Sequence, residues 1–261
     1  MNIKKEDIAK WKNMLKKMPE YMINEDGAFK EWLHEDLKDN YNHRHQSHIY
    51  PLFPGFEITK ENDLKNYDAI AKAVEKRLLV GFSDQTGWSY AHMANIFARL
   101  ENKERAYECL SNLIRSCVKS NLFTFHNDWR GQGVTTDWFV GNPPFQIDAN
   151  FGFTAAVLEM LIFSKPGFIR ILPAIAPDWD KGRVKGLCTR CACVVDIDWD
   201  LVKKNISVKL APLRKTSIEI EIPMGFNKID VNGCTVTAVK ENRYVIVNLE
   251  KDQYADLHIN I

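Results

Sequence analysis

Apolar residues recur at two different periods along this chain, and the change of period divides it. Up to about residue 165 the spacing is helical. In NDLKNYDAIAKAVEKRLLV, residues 62–80, Tyr67, Ile70, Ala71, Val74 and Leu78 make one stripe behind an Asn cap and an early acid. WSYAHMANIFARL, residues 88–100, predicts a second helix after a glycine. KERAYECLSNLIRSCVK, residues 103–119, predicts a third, with Ala106, Leu110, Leu113, Ile114 and Cys117 facing inward. Residues 150–163 form a fourth that is apolar on every side, which predicts burial on every side.

From about residue 168 the period shortens. CVVDIDWD, NISVKLAP, TSIEIEIP, KIDVNG, RYVIVNL and ADLHINI are short runs with strand-like alternation. They predict an antiparallel β-sandwich of six or seven strands, with a hairpin turn at Asn232–Gly233. The expected organisation is therefore α+β in two domains, residues 1–166 helical and residues 167–261 a β-sandwich. No internal repeat or low-complexity segment interrupts either.

Two connections in the helical part are long: NYNHRHQSHIYPLFPGF at 40–56 and NLFTFHNDWRGQGVTTDWFVGNPPFQID at 121–148. Compact domains rarely keep such lengths unless the loops serve a site. Helical hairpins whose loops gather at one end suggest a helical barrel or toroid with a pocket there.

Composition narrows the classes. The chain of 261 residues is 45% hydrophobic and 26% charged, with a net charge of +1, so nothing draws it in bulk to nucleic acid or acidic lipid. No apolar run reaches the ~18 residues that spanning a bilayer needs. MNIKKEDIAKWKNMLKK lacks the apolar centre of a signal peptide, so the chain as given reads as cytoplasmic.

Six cysteines occur. Cys109 and Cys117 lie in a helical pattern and are expected to fill core space. Cys188, Cys191 and Cys193 form C-x-x-C-x-C, but no fourth ligand lies at zinc-motif spacing. They sit in an alternating strand pattern and read as structural thiols. No metal or other cofactor is called for.

Two clusters carry candidate chemistry. The first is His43, Arg44, His45, Gln46, Ser47 and His48. His45 and His48 would share a face in a helix, but Tyr50–Pro51 and Pro54–Gly55 make this a loop, and no acid lies at useful spacing for a metal. Two readings stay equally open: donors to sugar hydroxyls, or a loop pinned by its own hydrogen bonds. The second cluster holds His126, Asn127, Asp128, Trp129, Arg130, Asp137, Trp138, Asn142, Asp148 and Asn150. Aromatic faces pack on the C–H faces of sugars, and carboxylates and amides hold hydroxyls, although core packing is the commoner fate of a tryptophan.

Asp148 stands at the mouth of the oily fourth helix, where the helix dipole favours its ionised form. Glu159 is the other acid of that segment. Along a helix the two lie roughly 14 Å apart. Glycosidase carboxylates sit ~5–5.5 Å apart in retaining enzymes and ~6.5–9.5 Å in inverting ones. Glu159 is therefore expected to pair with Arg99 or Arg115 rather than to act with Asp148.

HRHQSHIYPLFPG, GWSYAHMANIFARL, NPPFQIDANFGFTAAVLEML and ILPAIAPDWDKGRVKGLCTR, in this order, resemble glycoside hydrolase family 95. These are inverting 1,2-α-L-fucosidases, some acting on α-L-galactosides. The resemblance runs from about residue 18 onward and is to the C-terminal part of such enzymes: the last part of an (α/α)6 barrel plus the final β domain. It implies that Asp148 is the carboxylate that polarises the attacking water through asparagine side chains. It implies that Arg44 and His45 hold the fucose hydroxyls, with His43, Trp88 and Asn142 as further substrate contacts.

Two departures accompany it. The family's general-acid Glu and its water-holding Asn residues lie upstream of the matched region. Where many members have His-Pro-Pro, this chain has Gly141-Asn142-Pro143-Pro144; Asn142 can donate a hydrogen bond but cannot shuttle protons. The start at Met1 is expected to cut through the barrel, as in a truncated or split gene product. The expected partners are an oligosaccharide ending in L-fucose and a separate polypeptide supplying the rest of the barrel.

Overall fold

A computed structural model describes residues 4–240 and 243–261. The chain forms two compact units, one ending at Gly81 and the other running from Phe82 to Ile261.

The first unit contains α1 (Lys5–Leu15), a short 3-10 helix (Ser47–Ile49) and α2 (Leu64–Leu79). The apolar stripe of α2 is buried as its spacing predicts at Tyr67, Ile70, Val74 and Leu78, with Ala69 and Ala73 beside them; Ala71 is only half-buried. The cap is Asp63 rather than Asn62: its Oδ1 accepts from the Asn66 N–H at 3.1 Å. Asn62 instead closes the preceding turn, accepting from Thr59 N–H at 2.7 Å. α1 was hidden by its lysines, and none of its residues is buried.

The second unit contains α3 (Gly87–Arg99), α4 (Lys103–Cys117) and α5 (Ile147–Leu161). α3 packs against both others. A capping box starts α3, with Thr86 N–H donating to Ser89 Oγ at 2.8 Å. Asn102 caps α4 by accepting from Arg105 N–H at 3.1 Å. In α4 the expected inward residues are buried except Ile114, which is exposed; Cys109 and Ser116 take the inner face.

α5 overturns the expectation of burial on every side. It buries only Ala149, Ala156, Met160 and Leu161, while Ile147, Phe151 and Leu158 are exposed along one face. The helix also starts three residues earlier than its composition suggested, so Asp148 lies within the first turn rather than ahead of it. Its contact with α3 is close because Gly152 has no side chain: a Cβ there would lie 2.8 Å from the Ala91 Cβ. Asn95 Nδ2 bridges the crossing, donating to Ala91 O at 2.8 Å and to Gly152 O at 2.9 Å.

α5 runs directly into ten strands: β1 (Ile162–Lys165), β2 (Phe168–Ile171), β3 (Lys181–Cys188), β4 (Cys193–Asp200), β5 (Asn205–Pro212), β6 (Thr216–Glu221), β7 (Lys228–Asn232), β8 (Thr235–Lys240), β9 (Tyr244–Leu249) and β10 (Ala255–Asn260). They form two five-stranded sheets, ordered β1-β2-β6-β9-β8 and β3-β4-β5-β10-β7. Alternate residues of both sheets, such as Val195, Ile197, Val208 and Leu210 against Ile218, Ile220, Val245 and Val247, supply one apolar core.

Three details differ from the sequence expectation. The described residues form ten strands rather than six or seven. β2 and β6 run parallel, so the arrangement is not wholly antiparallel. Asn232–Gly233 does not close a hairpin: β7 pairs with β10 and β8 with β9, so this turn carries the chain from one sheet to the other. Gly233 is needed there, with φ of +83° and the Tyr254 carbonyl oxygen 2.4 Å from where a Cβ would stand. Among the described residues no helix is long and apolar enough to cross a membrane.

Candidate active site

Asp148 is an exposed side chain in the first turn of α5. Its Oδ1 accepts from the Ala149 N–H at 3.0 Å. The unpaired N–H groups of this turn favour a negative charge. The carboxylate is thus water-accessible and held in the first turn of a helix.

A small network fixes the start of that helix. His126 N–H donates to Pro144 O and Gln146 N–H to Thr124 O, each at 2.9 Å, so residues 124–126 and 144–146 run side by side. Thr124 Oγ1 donates to Asn150 Oδ1 at 2.8 Å, and Asn150 Nδ2 donates to Leu122 O at 2.9 Å. Asn150 therefore ties the first turn of α5 to the preceding loop. Gln146 Oε1 accepts from Trp88 N–H at 3.3 Å, which brings the start of α3 to the start of α5. Gly87 allows this approach: its N–H donates to His126 O at 2.8 Å, and a Cβ would lie 2.4 Å from the Phe125 carbonyl oxygen.

Gln146, two residues before Asp148, thus holds the Trp88 backbone. The Trp88 ring is half-buried and stacks near His92, with ring centroids 6.4 Å apart. Asn142 is exposed and closes a turn, its N–H donating to Phe139 O at 3.0 Å. Asp128, another acid of this loop, is spent on structure. It is buried, and its carboxylate accepts from Arg130 N–H at 2.9 Å and Gln132 N–H at 2.7 Å.

Glu159 lies eleven residues beyond Asp148 in the same helix, about 16 Å along its axis. It pairs with Arg99, as its place in an apolar helix implied: Arg99 Nη2 donates to Glu159 Oε1 at 2.8 Å and Arg99 Nε to Oε2. This fork holds it away from any role beside Asp148.

His43, Arg44 and His45 belong to the first compact unit, whereas Trp88, Asn142 and Asp148 belong to the second. His43 and Arg44 are half-buried and His45 is exposed, in the irregular stretch that leads into the 3-10 helix. The rings of His43 and His45 lie 4.9 Å apart. Although the residue is largely exposed, partial desolvation of its ring, followed by the positive charges of His43 and Arg44, pulls His45 below its ordinary 6.5; the Glu31 carboxylate opposes them. A neutral imidazole beside a permanent guanidinium suits the recognition of hydroxyls, since it accepts at one nitrogen and donates at the other.

No group of three His, Cys, Asp or Glu side chains able to hold a metal occurs among the described residues. Cys191 and Cys193 are buried in the sheet core, as are Cys109 and Cys117 in the helices; Cys188 is exposed.

Two sets of residues escaped the sequence reading. Gln146 and Thr124 act through side chains whose types carry no distinctive signal. Arg77 did carry one: it stands three residues after Val74 and seven after Ile70, a charge on the buried stripe of α2.

Comparison with known proteins bears on the same elements. The sequence pattern of the glycosyl hydrolase family 95 catalytic domain matches residues 1–161, and that of the glycoside hydrolase family 95 C-terminal domain matches residues 163–255. Alpha-L-fucosidase 2 of Arabidopsis thaliana is 40% identical over 185 residues, 70% of this chain and 21% of the relative. Probable alpha-fucosidase A of Aspergillus oryzae is 33% identical over 195 residues, 67% of this chain and 25% of the relative. The chain thus spans a fifth to a quarter of the length of these relatives. Among solved structures, an alpha-L-rhamnosidase from Dictyoglumus thermophilum aligns over 92% of this chain and 27% of its own, at 11% identity and a TM-score of 0.47, too distant to bear on fold or function. With both of its domain patterns matched in order, the chain belongs to glycoside hydrolase family 95.

Proposed function

We propose that this chain is the C-terminal portion of an inverting α-L-fucosidase-type glycoside hydrolase acting on α-1,2-linked terminal L-fucose. Residues 1–166 are the last part of an (α/α)6 barrel and residues 167–261 its β domain. The observation that carries the reading is the solvent-facing Asp148 carboxylate in the first turn of α5, within the family's catalytic-domain match. Asp148 is the base-side carboxylate. Through asparagine side chains that lie upstream of the matched region, it polarises a water that attacks the anomeric carbon opposite the leaving group. Arg44 and His45 hold the sugar hydroxyls, and His43, Trp88 and Asn142 add contacts around the ring. α-L-Galactosides are the alternative substrate, since Asn142 stands where many members have histidine.

The general acid lies outside this chain. Glu159 is committed to Arg99, and Asp128 to its own loop. The exposed apolar faces of α5 (Ile147, Phe151, Leu158) and α1 (Ile8, Trp11, Leu15) support a further polypeptide that covers them and supplies the acid. A sugar-binding module without turnover is the competing reading.

Incubating the purified chain with 2′-fucosyllactose, beside an L-fucose titration, tests these together. Saturable L-fucose binding without turnover is the result expected of the chain alone, and turnover should appear once the missing polypeptide is added. Turnover by the chain alone that vanishes in Asp148→Asn would show that it carries its own acid. Neither binding nor turnover from a folded chain would sink the assignment.

A further inference from the structure

Arg77 is among the largest fully buried side chains of the protein, at 1% exposure, yet it carries a permanent charge. Such a charge persists in a core only where most of its donors are answered; the Nε of Arg77 is buried without a hydrogen-bond partner, and the two terminal nitrogens carry the contacts. Here Nη1 donates to two backbone carbonyls, Asn40 O at 3.1 Å and His43 O at 2.9 Å, and Nη2 donates to Glu31 Oε2 at 2.9 Å. Glu31 is itself mostly buried, at 12% side-chain exposure. The two carbonyls lie 37 and 34 residues before Arg77 in sequence, so these bonds are tertiary contacts and not local turn geometry.

The place of the contact matters more than its strength. The carbonyl of His43 belongs to the peptide plane that joins His43 to Arg44. Fixing that oxygen fixes the rotation of the plane, and with it the direction in which the Arg44 side chain leaves the backbone. The segment from Asn40 to Gln46 has no helix or strand to impose that rotation. We propose that Arg77, clamped by Glu31, is the positioning residue that sets the backbone of the Arg44–His45 loop for sugar recognition.

The role of that loop rests on the function proposed above; the positioning of it does not. Lysine cannot replace Arg77, because one ammonium cannot face two carbonyls and a carboxylate with the planar fork a guanidinium offers. Glu31 acts twice. It neutralises Arg77, and its charge also reaches His45, where it opposes the burial and the His43 and Arg44 charges that favour the neutral ring.

The test uses the full chain with Arg77→Lys, Arg77→Met and Glu31→Gln, read by melting, by the NMR titration of His45 and by L-fucose affinity. Arg77→Lys is expected to keep the fold, to move the resonances of residues 43–45, and to weaken L-fucose about tenfold or more, the scale of a lost charged hydrogen bond. Glu31→Gln is expected to move the His45 titration to still lower pH. Arg77→Met leaves Glu31 unpaired and is expected to melt earlier. An Arg77→Lys chain with unchanged resonances at 43–45, wild-type affinity and an unchanged His45 titration would overturn the proposal. If the wild-type chain binds no L-fucose, the proposed function fails, while the resonances at 43–45 and the His45 titration still decide whether Arg77 positions the loop.

Discussion

Arg99 and Glu159 meet as a two-pronged pair, Arg99 Nη2 donating to Glu159 Oε1 at 2.8 Å, with side chains 3% and 14% exposed. The Arg99 guanidinium also lies 4.6 Å from the Phe163 ring centroid. This pairing commits Glu159 to structure, whereas Asp148, the other acid of α5, is exposed. Removing one partner of a buried pair leaves the other charge uncompensated, at a cost of about 3–5 kcal/mol. Glu159→Gln should therefore lower unfolding free energy by about 3 kcal/mol in urea melts while L-fucose affinity stays as in wild type. The double change Arg99→Met with Glu159→Leu should recover most of that loss. A Glu159→Gln chain that is fully stable but no longer binds would place Glu159 in the site.

The crossing of α3 and α5 supplies a second test. Gly152 lets Ala91 approach to a distance that no real Cβ tolerates. Gly152→Ala should cost about 1–3 kcal/mol through overpacking, even though alanine is the better helix former by about 1 kcal/mol. Ala91→Gly in the same chain should restore stability. Since the crossing sets where α5 begins its first turn relative to α3, the single variant should also disturb the Trp88 resonance. Thermal melts and a tryptophan indole spectrum read both effects.

Much of this was legible from periodicity. The stripe of α2, the inward face of α4 and the runs that became β4, β5, β6, β7, β9 and β10 are patterns of single residues, and most of the core they predict is observed, with Ile114 exposed, Ala71 half-buried and no residue of β7 fully buried. Pairing was not legible. β1 and β2 have four residues each, too few to show alternation. β3 hides behind its glycines and exposed lysines, and its Gly182 is explained only by the Trp199 ring, whose atoms come within 2.2 Å of where a Cβ would stand. In α5 a mostly apolar composition was read as burial on all sides, because sequence gives the character of a face and not what covers it. At the site, Asp148 was visible as an acid at a helix mouth. Gln146 and Thr124 were not, since their partners lie tens of residues away, whereas Arg77 was marked as a charge on the apolar stripe of α2 but its partners were not.

The depressed titration of His45 carries a pH dependence. Its folded-state value lies below the ordinary 6.5, through burial first and then the charges of His43 and Arg44. Between that value and 6.5 the unfolded chain binds more protons than the folded one. Stability contributed by this ring is therefore lost as pH falls through the window and is insensitive to pH above it. An NMR titration of the His45 ring should give a midpoint below 6.5, and L-fucose affinity should decline in the same range as the ring charges. A midpoint above 6.5 would contradict the assigned surroundings.

The cysteines should separate by burial. Cys188 is exposed, whereas burial pushes the thiols of Cys117 and Cys193 up to about 11. Thiolates are the reactive form. In the native chain at pH 8 an aromatic disulfide reagent should label Cys188 first and leave Cys117, Cys191 and Cys193 unmodified until denaturant is added. Peptide mapping of the labelled chain checks the order; fast native labelling of Cys117 would show that its packing against Gly87 is open.

On the proposed function, Asp148 supplies the base side of the reaction and the acid comes from elsewhere. α-L-Fucosyl fluoride isolates the first half, because fluoride departs without being protonated. Its hydrolysis should be measured with the wild-type chain and with Asp148→Asn, each shown to be folded by circular dichroism. The account predicts slow fluoride release by the wild-type chain, lost in the variant, with no release of fucose from 2′-fucosyllactose by either. Equal fluoride release from the two proteins, or none from wild type, would contradict it.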